Sequence, residues 1–396
     1  MIIRYLTPDD ILQSMQVSSS AFIWKMDEND LKEAKQKRKD GKIEPILGAF
    51  CDDDKTLMAQ IEVLDFENNF CGTYLKSSGI GGVATKPEFR RGGAVRALFN
   101  AHFAEAKEKA YVTSLLYPFS YDYYRLFGYE RICRFVECTL PYKAIAHVAR
   151  NCDVKLYEGE EKMKEQLLGV YDAYARKHNH MFRRTCDDYF YKKPYEQNEY
   201  TYLWFNAAGE PKAYVSYTCD RPASAVHVKE LLFTDYESLY GMLGFLRVYD
   251  GNFETLHFMK LPEHSPVFEL ITEHKYFQST LRNSGSVRIF DLKTLLEANS
   301  YPETAGHFSL YYPDDCMNKG CIFEVEYQSK KAQVALRTGG EYDLYLAPAP
   351  AARLTLGGEG LTEERLQYIG GIEVKTTAAD FLRAFPARPV DFYEGF

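Results

Sequence analysis

An α+β chain built of several units is what the sequence predicts, on three observations. Its 396 residues exceed the roughly 100–200 residues of one domain. Strand-like and helical segments are interleaved in its first third. Part of that order then returns between residues 151 and 285.

The first unit, 1–150, begins with a strand at Ile2–Leu6. Thr7-Pro8-Asp9-Asp10 comes next as an N-cap with Pro at the first helical position. Helical pattern runs to Ser20 and again over Asp27–Asp40. Strands are expected at Ile46–Cys51, Leu57–Phe66 and Tyr74–Thr85, with Asp52-Asp53-Asp54 as a polar hairpin turn. A helix from Gly92 to Ala110 presents Val95, Leu98, Phe99 and Phe103 at helical spacing. A strand at Val112–Leu116, a short helix at Tyr121–Leu126 and a strand at Tyr129–Leu140 complete the unit.

The second unit, 151–285, has a helix at Glu165–Arg176 and strands at Tyr200–Asn206, Lys212–Cys219 and Val226–Phe233. A helix at Tyr236–Tyr249 and a strand at Thr255–Lys260 end it. The third unit, 286–396, opens with a strand at Val287–Asp291 and a helix at Leu292–Ala298. Later strands are Cys321–Gln328, Lys331–Thr338 and Glu341–Ala347, and Leu354-Thr355-Leu356-Gly357-Gly358 precedes a helix at Thr362–Ile369.

Hydrophobic residues at 46% and charged residues at 26% are an ordinary globular balance. A formal net charge of -8 argues against a nucleic-acid surface, which needs a basic patch; it mildly favours a cationic substrate. The nine cysteines are odd in number and form no C-x-x-C, the usage of free thiols in a reducing cytosol. Cys133/Cys138 and Cys316/Cys321 have no His pair beside them, so no metal is expected there. His178 and His180 are of a type that binds metal, but beside Lys177 and Asn179 they read more simply as a solvated loop. No run of 18 apolar residues suggests a membrane span, and the opening MIIRYLTPDD lacks the apolar core of a signal peptide. A cytoplasmic location is therefore expected.

The stretch that carries chemistry is Gly81-Gly82-Val83-Ala84-Thr85-Lys86-Pro87-Glu88-Phe89-Arg90-Arg91-Gly92-Gly93-Ala94-Val95. It reads as strand, Pro-containing turn, Arg-Arg-Gly-Gly and helix. A helix start leaves backbone N–H groups unpaired and carries partial positive charge. Glycines let a phosphate approach that backbone, and the arginines add charge at its mouth. The second unit has Phe233-Thr234-Asp235-Tyr236 at the matching place and so lacks this chemistry.

Val-Ala-x-x-Pro-x-x-Arg-Arg-x-Gly resembles the acetyl-CoA motif of the GNAT superfamily of N-acetyltransferases, with Arg90 and Gly93 in its first two places and Val95 departing from Gly/Ala in the third. With Tyr124-Arg125-Leu126-Phe127-Gly128-Tyr129, it is similar to the Eis (enhanced intracellular survival) acetyltransferases over the whole chain. That resemblance implies tandem GNAT folds, each a mixed central sheet flanked by helices, the second degenerate. A C-terminal α/β domain like sterol carrier proteins would come after them. It implies acetyl-CoA as cosubstrate and no metal. Val83, Ala84 and Thr85 would lie along the pantetheine arm. Arg90, Arg91, Gly92, Gly93, Ala94 and Val95 would cradle the pyrophosphate. Tyr124 would be the general acid, the terminal carboxylate of Phe396 the base, and Trp24 a wall of the substrate pocket. The acceptor would be a primary amine of a polyamine-like small molecule, with aminoglycosides as candidates, and the assembly a homo-oligomer, often a hexamer. Two other readings stand beside it: a transferase acting on protein lysines or N-termini, and a lipid-binding protein with a vestigial transferase.

Overall fold

The computed structural model of the chain describes every residue except 42–43, 187, 273, 314–315, 319 and 396, and no side chain at 37, 38 or 274. Its strands form three sheets. The first contains β1 (Ile2–Tyr5), β2 (Ile46–Phe50), β3 (Leu57–Phe70), β4 (Thr73–Thr85), β5 (Thr113–Leu116) and β6 (Glu130–Arg131). They run in the order β1-β2-β3-β4-β5, then Ser286–Ile289, then β6. β1 to β4 are antiparallel neighbours, whereas β4 and β5 are parallel. Helices α1 (Ile11–Phe22), α2 (Glu28–Asp40), α3 (Ala94–Lys109) and α4 (Tyr121–Arg125) accompany this sheet.

The Pro8 turn starts as expected: the Thr7 backbone N–H donates to Asp10 Oδ2 at 2.8 Å, closing a capping box. α3 packs the stripe read from its spacing against the sheet, Val95 and Phe103 only partly buried. Leu98 and Phe99 are fully buried, and Phe99 stacks on Phe127 with ring centroids 4.4 Å apart. Burying one such side chain is worth roughly 1.5–3 kcal/mol, enough to fix α3 against the sheet.

The second sheet runs Gln278–Asn283, Arg134–Pro141, Thr255–Pro262, Ala225–Phe233, Pro211–Asp220, Glu199–Phe205 and Val154–Leu156. The third contains Lys331–Arg337, Cys321–Gln328, Gly306–Tyr312, Leu344–Leu346 and Ile372–Val374. Among the described residues no helix is long and apolar enough to cross a membrane.

Four readings from sequence differ from the observed fold. The single strand expected at Tyr129–Leu140 is two, Glu130–Arg131 in the first sheet and Arg134–Pro141 in the second, parted at buried Ile132 and Cys133. The strand read as opening the third unit pairs instead in the first sheet, Ser286 with Leu116 and Ile289 with Thr113. The strand Gly306–Tyr312 and the helix Pro348–Leu356 have no counterpart among the expected elements. His178 and His180 are not solvated. His180 is fully buried because its N–H donates to the Asn69 carbonyl at 2.7 Å and apolar Met181 and Phe182 continue from it into the core. His178 stacks on Tyr174 at 3.8 Å.

The C-terminal tail folds back between the first two sheets. Asn179 N–H donates to the Pro389 carbonyl at 2.9 Å, and Asp391 N–H to the Asn179 carbonyl at 3.0 Å. Further on, the Glu394 side chain enters a buried cluster. Arg184 donates to Glu394 Oε1 at 2.8 Å and to both Glu230 oxygens at 3.0 and 2.9 Å. The Tyr171 hydroxyl also donates to Glu394, at 2.9 Å. Tyr117, just past β5, donates its hydroxyl proton to the Glu394 carbonyl.

Candidate active site

β4 and β5 pair from Ser77/Thr113 to Ile80/Leu116 and then part. β5 ends at Leu116 while β4 continues to Thr85, so the β5-facing edge of 81–85 carries no neighbouring strand among the described residues. On its other side β4 bulges against β3. Gln60 faces Ala84 and Glu62 faces Gly81, so Gly82 and Val83 together oppose Ile61. Gly82 makes this possible with φ of 53°, which a side chain would strain. A bulge beside a parting pair of strands re-aims the residues after it.

Past the end of β4 the chain makes a tight turn into α3. Pro87–Phe89 is one 3-10 turn. Arg91 at φ 63° and Gly93 at φ 82° curl the backbone into the helix, whose first internal bond runs from Ala97 N–H to the Gly93 carbonyl at 3.0 Å. The N–H groups of Ala94, Val95 and Arg96 therefore have no helical acceptor. A Cβ built on Gly93 would meet nothing within 4 Å. Arg90, Arg91 and Arg96 are exposed around it, with no acidic partner among the described residues.

These groups line a cavity of about 640 Å³. Val83, Thr85, Arg90, Arg91, Gly93, Ala94 and Val95 all face it. Ala84 does not: strand alternation turns it to the other side, where it is buried with Leu6 and Val17. Gly92 is exposed outside the lining. Phe22, Phe119 and Tyr123, none of them singled out by the motif, complete the walls. For Phe119 and Tyr123 the sequence signal is the clustering of aromatics around Tyr124; Phe22 carries none.

Tyr124 sits directly behind this wall, 3% exposed. Its ring meets Tyr123 edge-on at 5.2 Å and Phe119 at 5.4 Å. Burial pushes its phenol pKa well above the ordinary value, and Tyr123 beside it acts in the same direction, so the hydroxyl keeps its proton throughout the neutral range. Phe396 lies outside the described residues. The tail leading to it is held at the end of β5 by the Tyr117–Glu394 bond.

A second cavity, about 350 Å³, opens beneath α1 and is lined by Trp24, Glu33, Glu44, Gln60 and Glu62 with Ser14 and Ser18. Gln60 is 1% exposed. Its Nε2 donates to Ser18 Oγ at 3.0 Å, while its buried Oε1 has no partner among the described residues. The two cavities adjoin at the bulge: a Cβ on Gly82 would lie 2.8 Å from the Glu62 carboxyl, and the next residue, Val83, lines the first cavity.

Residues 2–132 match a family model of an acetyltransferase (GNAT) domain, and residues 174–289 match a second model with the same description. The chain is a GNAT acetyltransferase. GNAT domains use acetyl-CoA as cosubstrate, and the orphan N–H groups, open glycine and arginines of the α3 start fit its pyrophosphate. In the second GNAT domain the corresponding helix, Tyr236–Leu246, begins on Asp235, whose carboxylate already accepts the Ser238 N–H at 2.8 Å. A negative charge there fills the donor and repels phosphate.

No curated protein matches this acetyltransferase. Its fold is shared by solved structures of low identity. A conserved protein of unknown function from Enterococcus faecalis V583, described as a probable N-acyltransferase, is 20% identical with a TM-score of 0.81, over 98% of this chain and 97% of that one. Eis1 from Mycobacterium abscessus is 17% identical with a TM-score of 0.80, over 100% of each chain. A GCN5-related N-acetyltransferase from Kribbella flavida is 17% identical with a TM-score of 0.77, over 98% and 97%.

Proposed function

We propose that this acetyltransferase modifies a primary amine of a polyamine-like small molecule, aminoglycosides among them, in the manner of the Eis acetyltransferases. The observation that carries the reading is the second cavity, where three glutamates and an indole meet within one residue of the acetyl-CoA cavity. Carboxylates attract alkylammonium groups, the Trp24 face adds a cation–π surface, and Gln60 Oε1 is an acceptor awaiting a donor. Acetyl-CoA supplies the activated acetyl group. The orphan N–H groups at Ala94–Arg96 hold its pyrophosphate, with Arg90 and Arg91 at the mouth and Gly93 leaving room for its approach, and the backbone of Val83 and Thr85 aligns its pantetheine arm.

Attack needs a neutral amine, and an alkylammonium is almost wholly protonated at pH 7, so a base is required. The Phe396 carboxylate takes that role, the tail being pinned beside β5 through Tyr117. Tyr124 donates a proton to the departing thiolate. Transfer is direct, within a ternary complex. We further propose that the third sheet, from Gly306 to Val374, belongs to a sterol-carrier-like domain that comes after the two GNAT units, the strand Ser286–Ile289 being part of the first of them. The enzyme is a cytoplasmic homo-oligomer, hexameric as in many Eis proteins.

A panel of amines incubated with acetyl-CoA, read by release of free thiol, tests this reading. Polyamines and aminoglycosides should turn over far faster than lysine-containing peptides. Preference for the peptides would replace it with protein acetylation, and failure to bind acetyl-CoA at all would leave a lipid-binding protein.

Two variants probe the assigned groups. Gly93→Val places a β-branched residue at φ 82°, a strain of roughly 1–2 kcal/mol, and pushes its side chain toward the phosphate. The KM for acetyl-CoA should rise at least tenfold, and unchanged affinity in a folded variant would remove the pyrophosphate from this turn. A short tag appended after Phe396 moves the terminal charge without deleting a side chain. It should depress kcat while acetyl-CoA still binds. Full activity of the tagged enzyme would send the search for the base to the glutamates of the second cavity.

A further inference from the structure

Away from the acetyl-CoA cavity, three potential ligands from distant parts of the chain converge on one point. His178 comes just after the helix Glu161–Ala175, His264 just after the strand Thr255–Pro262, and Asp391 lies on the C-terminal tail. Their ligand atoms all lie within 4.8 Å of one another. His178 Nε2 is 3.8 Å from Asp391 Oδ2, and His264 Nε2 is 4.0 Å from Asp391 Oδ1. The two imidazoles stack nearly parallel, centroids 6.0 Å apart and planes 17° apart, so each ring offers its edge to a different carboxylate oxygen.

The hydrogen bonds around them fix what those edges present. His178 Nδ1 lies 2.8 Å from the Tyr174 carbonyl. A carbonyl only accepts, so Nδ1 carries the proton, and in the neutral ring Nε2 is a bare lone pair. That lone pair faces a carboxylate oxygen. Two acceptors confronting each other beside a buried carboxylate repel unless a cation lies between them. Asp391 is 3% exposed, and the Tyr174 hydroxyl donates to its Oδ2 at 2.8 Å. The nearby ammonium of Lys260 donates to the Phe392 carbonyl.

We propose that His178, His264 and Asp391 bind a divalent transition-metal ion of the zinc class, which clamps the C-terminal tail to the second GNAT unit. Two imidazoles and a carboxylate are a borderline donor set suited to zinc, cobalt or ferrous iron rather than magnesium or calcium. The supporting bonds have the form usual around such ions: a histidine donating its other N–H to a backbone carbonyl, and a carboxylate held by a hydroxyl. Metal–ligand distances of about 2.0–2.1 Å put neighbouring ligand atoms about 3.3 Å apart in a tetrahedral site, so the two His–Asp pairs must close by roughly half an ångström and the two imidazole nitrogens by up to about 1.5 Å. His264, 42% exposed on its side chain, is free to make that shift. It also lines an open cavity of about 430 Å³, which gives the ion a route in and room for water as a further ligand. The site is independent of which amine the enzyme takes.

The test uses the full chain, stripped with a chelator and titrated with Zn²⁺ by calorimetry and with Co²⁺ by visible absorption. One ion per chain should bind, raising the Tm and slowing removal of the tail by a serine carboxypeptidase. His264→Ala alters a half-exposed side chain and should fold; it should lose the cobalt band and the tail protection. Tyr174→Phe keeps the ring, removes only the hydroxyl on Asp391, and should weaken binding about 10–100-fold. Absence of saturable binding in the wild-type chain would overturn the site. Binding that survives His264→Ala unchanged would do the same, because the ion would then sit elsewhere.

Discussion

Tyr124→Phe is expected to lower kcat by about 10²–10⁴-fold, the range of general acid contributions, with little change in acetyl-CoA affinity. The ring is kept, so its packing against Phe99, Phe119 and Tyr123 survives, and only the hydroxyl goes. Burial raises this phenol's pKa, so the acid form predominates throughout the neutral range and Tyr124 adds no alkaline limb there. Steady-state rates for Tyr124→Phe and Tyr123→Phe decide the assignment. Tyr123 lines the cavity itself, and if the larger loss falls on Tyr123→Phe, the donor is the wall residue and not the one behind it.

The second large effect is on stability. Arg184→Met should destabilise the chain by about 3–5 kcal/mol, the usual result of removing one partner from a buried ion cluster. Arg184, Glu230 and Glu394 have side chains only 4%, 8% and 3% exposed, so water cannot replace the guanidinium. Two buried carboxylates would be left facing each other, with the Tyr214 and Tyr171 hydroxyls as their remaining donors. A drop in the denaturation midpoint measures the loss. Adding Glu230→Gln and Glu394→Gln to Arg184→Met should recover part of it, since neutral amides tolerate burial better than bare charges. A stable single variant would mean that the Arg184 cluster contributes nothing to holding the tail against the second sheet. Because Glu394 lies two residues before the proposed base, the single variant should also lose activity at temperatures where it remains folded.

Local signals are legible in the sequence, and long-range ones are not. Gly82 marks the bulge, and Pro87 and Gly93 the strand-to-helix turn, through their own backbone needs, and the helix after it buries two of the residues its spacing names, Leu98 and Phe99, and half-buries Val95 and Phe103. Motif alone groups Ala84 with the cofactor, although period-two alternation already sets it opposite Val83 and Thr85. The switch of sheets at Ile132–Cys133 leaves no mark, because both flanking segments read as strand whichever sheet they join. The pairing of Ser286–Ile289 with β5 is hidden for the same reason: a short buried strand does not state its partner. His178 and His180 look solvated beside Lys177; the bond of His180 to the Asn69 carbonyl and the tail pairing at Asn179 with Pro389, both long-range, bury His180 and half-cover His178. The acidic cavity draws Trp24, Glu33, Glu44 and Glu62 from four separate elements and loops, a gathering that spacing along the chain cannot show.

The placement of Ser286–Ile289 between β5 and β6 bears on how the protein is made. While the ribosome is still producing the second GNAT domain, the sheet that carries the cavity beside α3 lacks an inner strand. Arg288, whose guanidinium bonds the Phe127 carbonyl across 161 positions of sequence and lies 4.2 Å over the Phe103 ring, has not yet arrived. Closing so long a loop costs entropy before any contact repays it, and such non-local pairing slows folding and leaves a strand edge open to aggregation meanwhile. The first GNAT sheet is thus completed late, after its neighbour has been translated, and a fragment cut before Ser286 would lack one of its inner strands.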